Sequence, residues 1–149
     1  MSDDFFGYGS AARREAPRTI LADLSSDEWE KFIGFAAQRS YPAGATVVEA
    51  GVRAPALVLI ASGRLQVQGA AGAPSLRGEG EMVGLLSFLD GAASDVTVSV
   101  AGPGAAELLL LTPDALQRLA AWQPRIAIAL LRDLGANVAA RLRRLQPGD

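Results

Sequence analysis

Apolar residues change their spacing along this chain, and each change marks a different kind of element. Between Ser25 and Gln38, Trp29, Phe32, Ile33 and Ala36 recur at helical intervals, which puts them on one face of a helix. Ser25 followed by Glu28 makes a capping-box pair, so the spacing predicts a helix over 25–38 whose apolar face is core. From Tyr41 to Leu111 the pattern becomes a series of short β segments separated by turn residues. Thr46–Val48 and Ala56–Ile60 read as strands. Arg64–Gln68 alternates polar and apolar, and Gly69–Pro74 is a turn of small residues. Val96, Val98 and Val100 alternate with Thr97 and Ser99, as in a half-buried strand. Glu107–Leu111 is apolar after its first residue, which predicts a strand buried on both faces.

The helical period then returns. Thr112, Pro113 and Asp114 supply an N-cap, a first-turn proline and an acidic first turn for a helix reaching about Trp122. Pro124 opens a longer helix extending to about Leu145, in which Ile126, Leu130, Leu134, Val138, Leu142 and Leu145 form one stripe. Arg141, Arg143 and Arg144 fall in its last turn, where cations suit the negative end of the helix dipole, and Pro147 and Gly148 end it. Evenly spaced short strands with glycine-rich turns, flanked by helices, predict a barrel or roll.

At 149 residues the chain suffices for one domain with a real core. A tail is expected over 1–18, where Asp3, Asp4, Gly7, Gly9 and Ser10 show no sustained period, and a folded domain over 19–146. Phe5, Phe6 and Tyr8 are apolar for a chain end and are candidates for folding back or for docking on a partner. The net charge is −2 and every basic residue except Lys31 is an arginine. Such a balance does not draw nucleic acid or anionic membrane by bulk charge. There is no Cys and no His, which excludes disulfides, Cys or His metal sites and nucleophile systems built on either residue. Met1–Tyr8 is acidic and aromatic, unlike a signal peptide, and Ile126–Val138 is broken by Arg132, Asp133 and Asn137. A cytoplasmic protein is the default.

Helix, strands, short helix and long helix follow the order of the cyclic nucleotide-binding domain found in catabolite-activator regulators, kinase regulatory subunits and gated channels, and several stretches resemble it. Tyr41-Pro42-Ala43-Gly44 with Thr46 looks like the lead into that family's first strand, and Gly51 lies at a turn glycine. Leu57 to Val67, LVLIASGRLQV, is similar to its hairpin, Gly80 to Gly91, GEMVGLLSFLDG, to its phosphate-binding cassette, and Val96-Thr97-Val98 to the strand leaving the cassette. The resemblance covers roughly residues 20–145. It implies a mainly β fold with flanking helices: a double-stranded β-helix or jelly-roll-like β-roll with one N-terminal and two C-terminal helices. Gly63 and Gly91 suit tight turns, and Gly84 opens the cassette helix where a ligand would approach backbone N–H groups.

The cassette departs from the family in the residues that would hold a ligand. In ligand-binding members a Glu directly after the glycine takes the ribose hydroxyl, and an Arg about ten or eleven positions beyond it pairs with the cyclic phosphate. Here those positions hold Leu85 and, depending on one inserted residue, Ser94 or Asp95. Losing a charge-assisted bond to phosphate costs roughly 1.5–3 kcal/mol, about ten- to a hundredfold in affinity. Gly84, Leu85, Leu86, Ser87, Ser94, Asp95 and Thr97 therefore mark a vestigial pocket. Its apolar residues, with Phe88 and Leu89, are expected to fill the space of a nucleotide. Arg77 or Arg53 would have to supply a replacement cation.

Asp90 and Asp95 are the only neighbouring carboxylates near this pocket and no nucleophile or base accompanies them, so no catalytic residue, cofactor or metal is expected. The arginines of the last helical turn read as a cap, and no helix-turn-helix follows before Asp149, so neither nucleic acid nor membrane is an expected partner. Two readings follow. In one, the chain is a regulatory or scaffold module that no longer binds ordinary cyclic nucleotide and contacts a protein partner or a second copy through Leu130, Leu134, Val138 and Leu142. In the other, it senses cyclic nucleotide or another atypical ligand, expected to be neutral or apolar, in a cavity of the roll lined by Leu85 and Phe88. A filled roll favours the first and an open pocket with convergent polar groups the second.

Overall fold

A computed structural model describes residues 21–145, and the expected tail, including Phe5, Phe6 and Tyr8, lies outside them. Helix α1 spans Ser26–Ile33, with the predicted capping box in place: Ser25 Oγ accepts from the Glu28 N–H and the Glu28 carboxylate accepts from the Ser25 N–H, each at 3.1 Å. The strands are β1 (Ala37–Tyr41), β2 (Thr46–Val48), β3 (Leu57–Ser62), β4 (Leu65–Gln68), β5 (Ser75–Arg77), β6 (Met82–Val83), β7 (Thr97–Val100) and β8 (Ala106–Leu111). Helix α2 (Leu85–Asp90) lies between β6 and β7, and α3 (Pro113–Trp122) and α4 (Pro124–Leu145) follow β8. These elements form the mainly β roll with flanking helices that the sequence predicts.

The strands make two antiparallel four-stranded sheets, in the orders β1-β8-β3-β6 and β2-β7-β4-β5. Alternation along β3 and β8 divides the interior into two cores. Val58, Ile60 and Leu108 turn inward and meet Leu65, Val98 and Val100 between the sheets. Leu57, Leu59, Leu109 and Leu111 turn outward against Trp29 and Phe32 of α1, Leu119 of α3 and Ile126, Leu130 and Leu134 of α4. The first sheet is thus covered on both sides, which is why β3 and β8 read as unbroken apolar runs.

The helix expected over 25–38 is shorter than predicted. It ends at Ile33 with Gly34 as its cap, and Ala37–Tyr41 pairs instead with β8 from Ala37↔Leu110 to Tyr41↔Ala106. Pairing with the buried strand overrides the local helical period, as tertiary context often does. The helical stripe ends with it, since Ala36 lies in the connection to β1. The short strands β5 and β6 were not separable from turn sequence.

Leu21 begins the described chain in an unusual way. It is buried with a positive φ of 56°, and its N–H donates to Asp133 Oδ2 at 2.6 Å. Asp133, one of the polar breaks in the long helical pattern, therefore ties the start of the domain to α4.

Candidate functional site

Glycine fixes both boundaries of the cassette helix. Gly84 precedes α2 with φ +83°, and a Cβ there would collide with the Ala56 carbonyl oxygen. Gly91 closes it with φ +74°, and its N–H donates to the Ser87 carbonyl. Between them, Leu85 and Phe88 are buried in the core that faces the helices, whereas Leu86 and Leu89 are exposed. Helical spacing explains the split, because positions 85 and 88 share a face. These four side chains therefore do not plug the roll as the sequence suggested.

An open cavity of about 280 Å³ remains, near the lower end of the range for small-molecule sites. Val67 of β4, Met82 and Val83 of β6, and Leu85 and Leu86 of α2 give it apolar walls, with Ala92, Ala93 and Val96 beyond. Ser87, Asp90, Ser94 and Asp95 bring polar groups from the cassette, Arg77 contributes from β5, and Arg141 from α4. Six of the seven expected pocket residues, from Gly84 to Asp95, meet here. Thr97 does not: its Oγ1 accepts from the Ala50 N–H at 3.1 Å and fastens the turn after β2. Of the two candidate replacement cations, Arg77 lines the cavity, while Arg53 is exposed on that turn and does not.

Local hydrogen bonds limit what the cassette offers. Ser94 Oγ donates to the Val96 carbonyl at 2.7 Å and accepts from the Val96 N–H at 3.1 Å. The Ser94 backbone pairs with Gly51 and Val52. Asp90 Oδ1 accepts from the Ala92 N–H at 2.9 Å. Arg77 donates to Ser75 Oγ at 2.9 Å and to the Leu76 carbonyl at 3.3 Å, and forms no ion pair among the described residues.

Arg141 is the lining residue that sequence reasoning missed, since the basic last turn reads as a helix cap. It lies seven residues after Leu134 and three after Val138, on the same face of α4. The stripe that buries Ile126, Leu130 and Leu134 against the sheet thus continues into an arginine beside the cavity, and that register was the available signal. Its side chain has no ion pair or hydrogen bond among the described residues.

The expected partner surface on α4 is also corrected. Leu130 and Leu134 are fully buried within the chain and Val138 packs against the same core, so of the four only Leu142 is exposed. A neighbouring stripe of α4, Ile128, Leu131, Leu142 and Leu145, is instead open to solvent. No helix of the described residues is long and apolar enough to cross a membrane. Among them no group of three Asp, Glu, His or Cys could hold a metal.

Two antiparallel four-stranded sheets, a glycine-bounded cassette helix beside a cavity and a long C-terminal helix define a β-roll. Residues 38–121, more than half of the chain, match the family model described as the cyclic nucleotide-binding domain, and the chain belongs to that family. Among solved structures it is similar to the catabolite activator protein of Thermus thermophilus, at 26% identity and a TM-score of 0.73 over 85% of this chain. It spans 59% of the length of that protein. It shares its fold with the N-terminal domain of a transcriptional regulator from Streptomyces coelicolor A3(2), at 22% identity and a TM-score of 0.72, covering 93% of this chain and 97% of that one. A cyclic nucleotide-binding domain from Methylobacillus flagellatus KT has the same fold, at 20% identity and a TM-score of 0.76, covering 96% and 81% of the two chains. No curated protein sequence matches the chain.

Proposed function

We propose that this chain is a non-enzymatic, cytoplasmic regulatory module that has lost ordinary cyclic AMP and cyclic GMP recognition and senses a different small ligand in its roll. The observation that carries this reading is the open cavity, where apolar side chains of β4, β6 and α2 meet a comparable share of polar and charged groups from the cassette, β5 and α4, groups able to fix a ligand's orientation. The proposed loss rests on Leu85 and on Ser94 and Asp95, at the positions where the resemblance implies a carboxylate and a guanidinium. Leu85 is turned into the core and Ser94 Oγ is committed to Val96. Titration with cyclic AMP and cyclic GMP by calorimetry is expected to give dissociation constants of about 100 μM or weaker, from the loss of a charged and a neutral hydrogen bond. A constant below about 10 μM for either would overturn the reading.

A second reading, contact with a protein partner or a second copy through α4, is supported by the exposed stripe of Ile128, Leu131, Leu142 and Leu145. It does not exclude the first. Light scattering of the wild type against Leu131→Glu plus Leu142→Glu separates the cases for self-association. A dimer that these changes dissociate supports pairing through α4. A monomeric wild type at high micromolar concentration removes the homodimer.

A further inference from the structure

Two arginines line the cavity from outside the cassette: Arg77 on β5 and Arg141 on the last turns of α4. Both are partly buried and neither is in an ion pair among the described residues. A partly buried arginine without a carboxylate partner can receive an anion, because the guanidinium keeps its charge and presents a planar fork of five donors, of which Arg77 spends Nη1 on Ser75 Oγ and the Leu76 carbonyl. The carboxylates of the site, Asp90 and Asp95, are both exposed and both belong to the cassette end of the lining. The cavity is thus polarised between elements, with cations on β5 and α4 and carboxylates on the segment from α2 to β7.

We propose that the ligand is a small organic phosphate whose phosphoryl group is held by Arg77 and Arg141 rather than by the cassette. This deepens the sensor reading and rests on it. Two guanidinium groups match the charge of a phosphomonoester, about −1.5 to −2 near neutral pH, better than the single charge of a cyclic diester. The polar body of the ligand, bearing hydroxyl or amino donors, faces Asp90 and Asp95, which accept from donors and repel a second anion. Val67, Met82 and Val96 enclose its apolar part. The phosphate site thereby joins the roll to the long helix.

The test uses thermal shift and calorimetry at constant ionic strength, with inorganic phosphate, ribose 5-phosphate and neutral adenosine as probes. Ribose 5-phosphate is expected to bind the wild type saturably and inorganic phosphate more weakly. Arg77→Gln and Arg141→Gln should each weaken ribose 5-phosphate by about tenfold, the value of one charge-assisted contact that is partly open to water. Arg141→Lys should fall between wild type and Arg141→Gln, and Arg53→Gln should bind as wild type does. Melting curves without ligand should be nearly superimposable for all variants, since neither pocket arginine is fully buried. Equal binding by wild type and Arg141→Gln, or no saturable response to either phosphate, overturns the proposal. If adenosine binds while the phosphates do not, the pocket is a sensor site and only the phosphate assignment falls. If no probe binds, this assignment and the sensor reading are both lost.

Discussion

Gly84 and Gly91 bound the same short helix and have nearly the same backbone conformation, with φ +83° and +74°, yet substitution should separate them sharply. At Gly91 a Cβ would meet nothing within 4 Å, so Gly91→Ala is expected to cost about 1 kcal/mol, the penalty of the left-handed conformation alone. At Gly84 the added methyl would also collide with the Ala56 carbonyl, which belongs to backbone and cannot rotate away. Gly84→Ala should therefore cost more than about 2 kcal/mol and disturb the cavity wall. Urea denaturation of the two variants checks the difference. Glu28 offers a second residue-scale test. Its carboxylate is held below the ordinary Glu range, first by the Ser25 N–H, against an opposing effect of desolvation that ranks next, and then by Arg125, the Ser25 hydroxyl and Lys31. A carboxyl whose folded-state pKa is depressed stabilises above its unfolded pKa and loses that contribution as pH falls through the folded value. Glu28→Gln should thus lower the urea midpoint at pH 7 and differ little from the wild type at pH 3. At this scale the glycines and the capping box were legible because each answers to local backbone geometry. Arg141 was not, because a basic final turn is also what a helix dipole favours.

The two short strands and the shortened first helix show where periodicity stops informing. A stretch such as Ser75–Arg77 contains one exposed leucine and two polar residues; its β geometry comes from pairing with β4, Leu65↔Arg77 to Val67↔Ser75. That pairing is what carries Arg77 to the cavity. Helix α4 poses the opposite difficulty, because it has more apolar positions than one face accommodates. The single stripe from Ile126 to Leu145 splits in the structure. Ile126, Leu130 and Leu134 pack against the first sheet, while Leu142 and Leu145 join Ile128 and Leu131 in solvent. Truncation should expose the division. Leu134→Ala is expected to destabilise the fold by about 2–5 kcal/mol, as for other fully buried leucines, and Leu142→Ala by less than about 0.5 kcal/mol when the chain is monomeric. Comparable losses at both sites would mean that Leu142 is buried in solution, as in a stable dimer.

Taken as a whole, the roll and the long helix are joined in two regions of different character. From Ile126 to Leu134 the helix is sealed to the first sheet by fully buried side chains, and Asp133 holds the Leu21 N–H. Beyond Val138 the side facing the roll has no buried leucine, only Arg141 beside the cavity. Local opening free energy follows buried apolar contact, so the last two turns should open far more readily than the first three. A ligand bridging Arg77 and Arg141 would be lost on that opening. Mass action then slows opening by a factor of up to 1 + [L]/Kd, about tenfold at ten times Kd. Hydrogen exchange followed by mass spectrometry is expected to show this slowing in a peptide covering residues 139–145 when ribose 5-phosphate is present. A peptide over 126–134 should change little, and Arg141→Gln should show no slowing at either place. Unchanged exchange over 139–145 in a saturated wild type would mean that the helix end does not read pocket occupancy. Slowing confined to that segment would make the arginine the point at which ligand binding becomes a change in the α4 surface that carries Leu142 and Leu145.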